Sequence, residues 1–143
     1  MAIAGTNIRR DTVRVLYNLI NTNKPSGWTV RANFSNVDAS FPLILITPPI
    51  MEEENWDCQR SKNDTEISVM FTIMVSLDDG NAKIDEGRDN ISETLKDTDN
   101  SGSLYADSNL DLQMIRDLGE PASEDVNGTV YLIARMMASF RRR

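Results

Sequence analysis

The sequence predicts an α+β fold: a mostly antiparallel sheet of about five strands with two helices packed on one face, in the order α-β-β-β-α-β-β. Three observations predict it. Apolar and polar residues alternate in several short segments, as they do in half-buried strands. In two other segments the apolar residues recur at helical spacing. Most of the strand segments are joined by loops rather than helices, which favours antiparallel pairing.

The chain opens with a predicted helix, which Thr6 or Asn7 can cap and which ends near Asn21 at a run of turn-forming residues. Its expected buried residues are Ile8, Thr12, Val15, Leu16, Leu19 and Ile20. Its expected outward residues are Arg9, Arg10, Asp11 and Arg14. After the turn, apolar residues alternate with polar ones over 28–34, which predicts the first strand.

The second predicted strand is a continuous apolar run from Phe41 to Thr47, which Pro48 and Pro49 end. Such a run is typical of a strand that is covered on both faces. A long acidic connection follows, from Ile50 to Asp64. Ordered loops longer than about 12 residues are uncommon, so we expect this segment to be functional, mobile or extended into a hairpin.

The most regular stretch, from Glu66 to Lys96, is a strand that leads through an acidic turn into an amphipathic helix. One face of the strand consists of Ile67, Val69, Phe71, Ile73, Val75 and Leu77, and the other of Glu66, Ser68, Met70, Thr72, Met74 and Ser76. The helical stripe consists of Ile84, Gly87, Ile91 and Leu95. Because methionines make the second strand face half-apolar, we expect that face to be covered or to contact another subunit.

The remaining elements are two strands separated by loops. A polar loop over 97–103 precedes a half-buried strand that ends near Arg116, and a second acidic loop runs from Gly119 to Gly128. The final strand, from Thr129 to Phe140, is largely apolar on both faces. We therefore expect this strand to be central in the sheet or to meet another subunit.

Composition indicates one domain over 1–143, with a core and a short basic tail at 141–143. No apolar run reaches the roughly 20 residues that span a bilayer. The first residues lack the basic and apolar regions of a secretory signal. We therefore expect no membrane segment. The single cysteine, Cys58, favours synthesis in a reducing, intracellular setting.

Charge is unevenly distributed along the chain, whose net charge is −7. Residues 1–31 carry a net +4, residues 32–128 a net −15 and residues 129–143 a net +4. This is the pattern of an acidic domain with basic ends, or of a bipolar surface that docks head-to-tail.

The absence of histidine from the sequence excludes a Ser-His-Asp triad, a histidine-assisted cysteine nucleophile and the usual zinc sites. The glycines are scattered and form no phosphate-binding loop or dinucleotide fingerprint. A Ser-Lys or two-carboxylate mechanism needs no local spacing, so the sequence leaves it open. We expect no catalytic residue and no cofactor.

Two acidic segments suggest a cation site. Residues 97–102 match the opening of a calcium loop, but Ser108 stands where the closing glutamate would be. The glutamates at 52–54 and Asp57 could hold a hard cation in a nuclease-like site, although a solvated loop is the simpler interpretation. We predict no metal, and we keep a small metal-dependent nuclease or a ligand-binding module as the alternative of another class.

Several residues are candidates for contacts with other chains. Trp56 either packs on the domain or anchors a partner. The terminal arginines form a solubilising tail, or they contact DNA phosphates or an acidic neighbouring subunit. The predicted subunit or partner interface comprises Glu52, Glu53, Glu54, Trp56, Met70, Met74, Arg135, Met137, Arg141, Arg142 and Arg143.

The order and size of the elements resemble a known family. The opening helix, the strand from Phe41 to Thr47, the acidic loop, the strand–helix unit and the two closing strands resemble the tail-terminator (tail-completion) proteins of long-tailed phages and related viruses, of the lambda type. The resemblance spans essentially the whole chain and rests on element order. The loop over 117–128 and the arginine tail depart from it.

The resemblance implies a non-enzymatic virion protein that forms a ring, typically hexameric. The ring caps the tail tube, ends its polymerisation and joins it to the neck of the head. The implied partners are other copies of the chain, the tail-tube protein, a neck or connector protein, and genomic DNA that passes through the lumen without specific binding. The implied location is the tail or neck of the virion, after assembly in the host cytoplasm. A neck or head-completion subunit, or a tail-tube subunit, is the alternative within the structural class.

Overall fold

The computed structural model describes residues 8–32, 40–47, 50–51, 65–126 and 128–142, of which 8, 9, 50, 51 and 65 are described by their backbone alone. These residues form an α+β fold, which confirms the predicted class. The helices are α1 (Ile8–Asn23), α2 (Gly80–Lys96) and α3 (Thr98–Ser108). The strands are β1 (Thr29–Arg31), β2 (Leu43–Ile46), β3 (Ile50–Met51), β4 (Thr65–Ser76), β5 (Leu110–Asp117), β6 (Ala122–Val126) and β7 (Thr129–Arg142).

The described strands form one mixed sheet in the order β1-β2-β4-β7-β5, with β3 beside β4 and β6 beside β7. β1 and β2 are parallel, and the other described pairs are antiparallel. β4 and β7 pair along their length, from Thr65 opposite Arg142 to Ser76 opposite Tyr131. The prediction that the final strand is central is therefore confirmed.

One face of the sheet carries the main core. The buried residues of α1, α2 and α3 join the same cluster as every second residue of β4 and β7, so the described helices all cover this face. The fully or nearly fully buried members are Leu16, Ile20, Trp28, Ile44, Ile46, Ile67, Val69, Phe71, Ile73, Val75, Ile84, Ile91, Leu95, Leu110, Ala134, Met136, Ala138 and Phe140. Leu77, which the alternation predicts as a continuation of the β4 stripe, is exposed in the turn after the strand. Among the helices of the described ranges, none combines the length and apolarity that crossing a bilayer requires.

The first helix extends slightly beyond its predicted end. Thr22 Oγ1 donates to the carbonyl of Asn18 at 2.7 Å and Asn23 Nδ2 to that of Leu19 at 2.8 Å, so both side chains bond back to carbonyls one turn earlier in the helix. The prediction that Asp11 faces outward is wrong, because the residue is 6% exposed. Its Oδ1 lies 3.4 Å from Arg10 Nε, which supplies a partner for the buried charge.

The segment predicted as a polar loop over 97–103 is helical, and this is the main correction to the predicted order. Asp97 caps α3, because its side chain accepts hydrogen bonds from the backbone N–H groups of Asp99 and Asn100 at 3.0 and 3.1 Å. Leu104 and Ser108, four residues apart, are its buried positions. The N-cap therefore fixes where α3 begins, and only two buried side chains hold the helix against the rest of the domain.

The acidic loop predicted from Gly119 to Gly128 contains β6, which pairs with the start of β7. Gly128, at a φ of +86°, adopts a conformation that favours glycine, and its N–H donates to Asp125 Oδ1 at 2.9 Å. The prediction of a basic tail from residue 141 is also corrected. Arg141 and Arg142 lie in β7, opposite Glu66 and Thr65, and Arg143 lies outside the described residues.

Candidate subunit interface

The second face of the sheet carries no described helix, and it contains most of the candidate interface residues within the described part of the chain. Register places Met70 opposite Met137, and Met74 opposite Ile133, between β4 and β7. These side chains alternate with the core residues, so they belong to the face away from α1, α2 and α3.

One end of this face is closed by side chains of the same chain. Leu43, Met74 and Ile133 are buried together, and Phe41, Val126 and Tyr131 pack against them. The rings of Phe41 and Tyr131 stack with centroids 4.2 Å apart and planes 20° from parallel. Met74 is 3% exposed and cannot contact a partner in this arrangement, so the structure removes it from the candidate interface. The expectation that the face around Met74 is covered, and that β2 has apolar neighbours on both faces, is confirmed.

The middle of the helix-free face combines apolar and hydroxyl groups. Met70 and Met137 are half-buried neighbours across β4 and β7. Ser68 and Thr72, on either side of Met70, are 7% and 6% exposed, and the hydroxyls of Ser68 and Ser139 lie 3.4 Å apart. The two methionines therefore remain candidates for a contact that adapts its shape to a partner.

The arginines of β7 do not act as a loose basic tail. Arg135 Nη2 donates to Glu124 Oε2 at 3.0 Å, and both side chains are about two-fifths exposed, at 41% and 42%. This ion pair links β6 to β7 on the helix-free face of the sheet. Arg141 and Arg142 are half-buried and flanked by β4 and β5. Strands position all three side chains. Arg135 and Arg141 alternate onto the helix-free face with Met137, whereas Arg142 alternates with Phe140 onto the face that carries the helices.

The remaining candidate residues lie outside the described part of the chain. They are Glu52, Glu53, Glu54, Trp56 and Arg143.

No cluster of three or more potential metal-ligating side chains is present within the described ranges. In the segment that resembles a calcium loop, the Asp97 carboxylate is engaged as a helix cap. A groove of about 450 Å³ lies between α1 and α3, and its lining contains one charged residue, Asp107. A single exposed carboxylate does not make an acid–base pair or a metal ligand set.

Sequence reasoning missed the two lateral edges of the sheet. Arg10 and Arg14 are exposed on α1, the helix that packs beside β1, while Glu120 and Asp125 are exposed between and within β5 and β6. The signal in the sequence is the change from a basic first segment to an acidic remainder. That signal does not show which segments become edges, because the order of strands in the sheet differs from their order in the chain.

Comparisons with known proteins give likenesses to solved structures and no sequence match. No protein-family profile matches the chain, and no curated protein matches it. Among solved structures, the chain is similar to one described as the virion of a native gene transfer agent (GTA) particle. The two chains are 14% identical with a TM-score of 0.50, and the match covers 90% of this chain and 85% of the other. At this level of identity the likeness shows a shared fold.

Proposed function

We propose that this chain is a non-enzymatic structural subunit of a phage-like particle. In this proposal several copies, six in the form that the resemblance implies, assemble into a ring. The ring caps the tail tube, ends its polymerisation and joins it to the neck. The chain would be located in the tail or neck of the virion, after assembly in the host cytoplasm.

The observation that carries the proposal is the likeness to a chain of the gene transfer agent virion, which extends over 90% of this chain. Because the match extends over nearly the full length, it supports a shared fold for the whole domain rather than for a common substructure. The order of the elements along the sequence implies the same class of function. Fold likeness and element order therefore both support a role in a virion.

The geometry fits a subunit that holds its shape while contacting several neighbours. The described helices and the long β4–β7 pair share one core, which makes a rigid body. The helix-free face presents Met70 and Met137, and the sheet ends in two edges of different charge. The partners proposed are other copies of the chain, the tail-tube protein and a neck or connector protein.

Net charge fits a lumen through which DNA passes. Six copies at −7 each would carry −42, and an acidic wall repels phosphates rather than binding them. We expect the assembled protein to show no retention of double-stranded DNA in a gel-shift assay at 0.1 M salt. Tight, salt-sensitive binding would contradict this part of the proposal.

Negative-stain imaging of the purified chain tests the proposed role. Closed rings of uniform diameter are expected. Open filaments that lengthen with concentration would favour a tail-tube subunit instead. Isolated single copies at every concentration would contradict ring formation by the chain alone.

A further inference from the structure

The described sheet ends in two different lateral edges. At one edge β1 pairs with β2 on its inner side, and at the other β5 and β6 lie in succession along the same side of β7. Within the described ranges, no strand pairs with the outer side of β1 or of β5. An edge strand of a sheet is a common site of association with another chain.

The edge that contains β1 is basic because of the way α1 lies beside it. Tyr17 and the residues of β1 line one small depression, so this side of α1 faces the edge. Arg10 and Arg14 lie seven and three residues before Tyr17, which places them on the same side of the helix. Arg14 is exposed, and the Arg10 side chain is 63% exposed. The sequence of residues 8–32 holds five basic side chains and one acidic, a net of +4.

The opposite edge is acidic. The sequence of residues 110–126 holds five acidic side chains and one basic, a net of −4. Between β5 and β6 the chain bends at Gly119, and Arg88 of α2 holds the bend. Its Nη2 donates to the Gly119 carbonyl at 3.3 Å, and its Nε lies 3.7 Å from Asp117 Oδ1. Glu120, directly after this bend, is exposed.

We propose that these edges are the two halves of one contact between copies, in which the α1–β1 edge of one copy lies against the β5–β6 edge of the next. The two ranges have opposite net charge in the sequence, +4 and −4. Asp117 and Glu124 are paired with Arg88 and Arg135, and the exposed Arg14 and Glu120 lie at opposite edges of the sheet. Such a head-to-tail contact leaves one free edge of each kind after every addition, and it closes into a ring when the rotation between copies permits. This inference rests on the proposed ring, and it names the surfaces that build it.

Matched charge reversals in the full-length chain test the contact. Arg14→Glu changes the basic edge, and Lys96→Glu is its control, with the same change of charge at an exposed position in the last turn of α2. Glu120→Lys changes the acidic edge, and Asp89→Lys, at an exposed position on α2, is its control. Each edge variant is expected to raise the concentration of half-assembly at least tenfold, measured by mass photometry and sedimentation velocity in 0.1 M salt. Each control is expected to change it less than threefold.

Mixing the two edge variants provides the decisive measurement. In an equimolar mixture, the unaltered acidic edge of Arg14→Glu meets the unaltered basic edge of Glu120→Lys, and the two altered edges also have opposite charge. Assembly is therefore expected to recover, with the two variants in equal amounts. Circular dichroism melting of each variant under dissociating conditions shows whether it still folds.

The outcomes separate this inference from the proposed function. A wild-type ring that both edge variants form as readily as their controls overturns the edge contact and leaves the ring in place. Loss of assembly that mixing does not restore also counts against the contact. A wild-type chain that never assembles contradicts both proposals.

Discussion

Gly87 lies where α2 comes closest to the layer beneath it, and replacing it by alanine tests the packing of the core. An added Cβ would lie 2.6 Å from Trp28 Cη2, 3.0 Å from Trp28 Cζ3 and 3.1 Å from Ile73 Cγ2. Neither neighbour can move easily. Trp28 is 2% exposed, and its Nε1 donates to Glu86 Oε1 at 2.8 Å, while Ile73 is fully buried.

The expected cost follows from two opposed terms. Forcing a methyl group into a well-packed core costs about 1–3 kcal/mol. Alanine gains about 1 kcal/mol over glycine inside a helix. Gly102, in α3, supplies the control, because a Cβ added there meets nothing within 4 Å. Gly102→Ala is therefore expected to raise the free energy of unfolding by about 0.5–1 kcal/mol. The difference between the two variants isolates the packing term, since the helix-propensity terms cancel, and it should be about 1–3 kcal/mol.

Urea unfolding followed by circular dichroism gives both free energies, at one fixed protein concentration so that association is equal in all samples. Gly87→Ala should unfold at lower urea than the wild type, and Gly102→Ala at higher urea. If Gly87→Ala proved as stable as Gly102→Ala, the close approach of α2 to Trp28 would be refuted.

Substitutions at three further positions test single contacts by the same urea measurement. The buried Thr12 hydroxyl makes no hydrogen bond in the described part of the chain, so Thr12→Val should raise the free energy of unfolding by about 1 kcal/mol; a loss would mean that the hydroxyl has a partner. Removing the α3 cap in Asp97→Ala should cost about 1 kcal/mol with or without calcium, while Asp97→Asn should cost little; a cost seen only in calcium would indicate a cation site. Trp28→Phe removes buried volume and the hydrogen bond to Glu86, and should cost about 1–3 kcal/mol; an unchanged value would show that neither matters.

The sequence predicts those elements that bury one face, because burial of one face makes apolar residues recur at a regular spacing. Every second residue from Ile67 to Val75 is buried in β4, and α2 buries its predicted stripe. α3 and β6 bury little, so their sequences carry no such period. α3 depends on the Asp97 cap, and β6 is held by its turn and by pairing with β7. Both appear in the sequence as polar loops.

The candidate interface was less predictable, because the exposure of its side chains depends on contacts with segments that are distant in the sequence. The half-apolar second face of β4 indicates a covered surface. Met74 lies beside Leu43 and Ile133 of the neighbouring strands, and Phe41, Val126 and Tyr131 of the same chain pack against this cluster. The lateral edges arise only when the sheet order places β1 and β5 at its ends. The charges that distinguish the edges are visible in the sequence, but their opposition across the sheet is a property of the fold.

The central claim, that this chain builds a closed ring, is tested most directly by native mass spectrometry of the wild-type protein over a range of concentrations. The chain has a mass of 16.1 kDa. A closed ring predicts one dominant assembly at a fixed multiple of that mass, six in the form proposed here, which does not grow as concentration increases. Monomers at every concentration, or a series of assemblies with no upper limit, would contradict it.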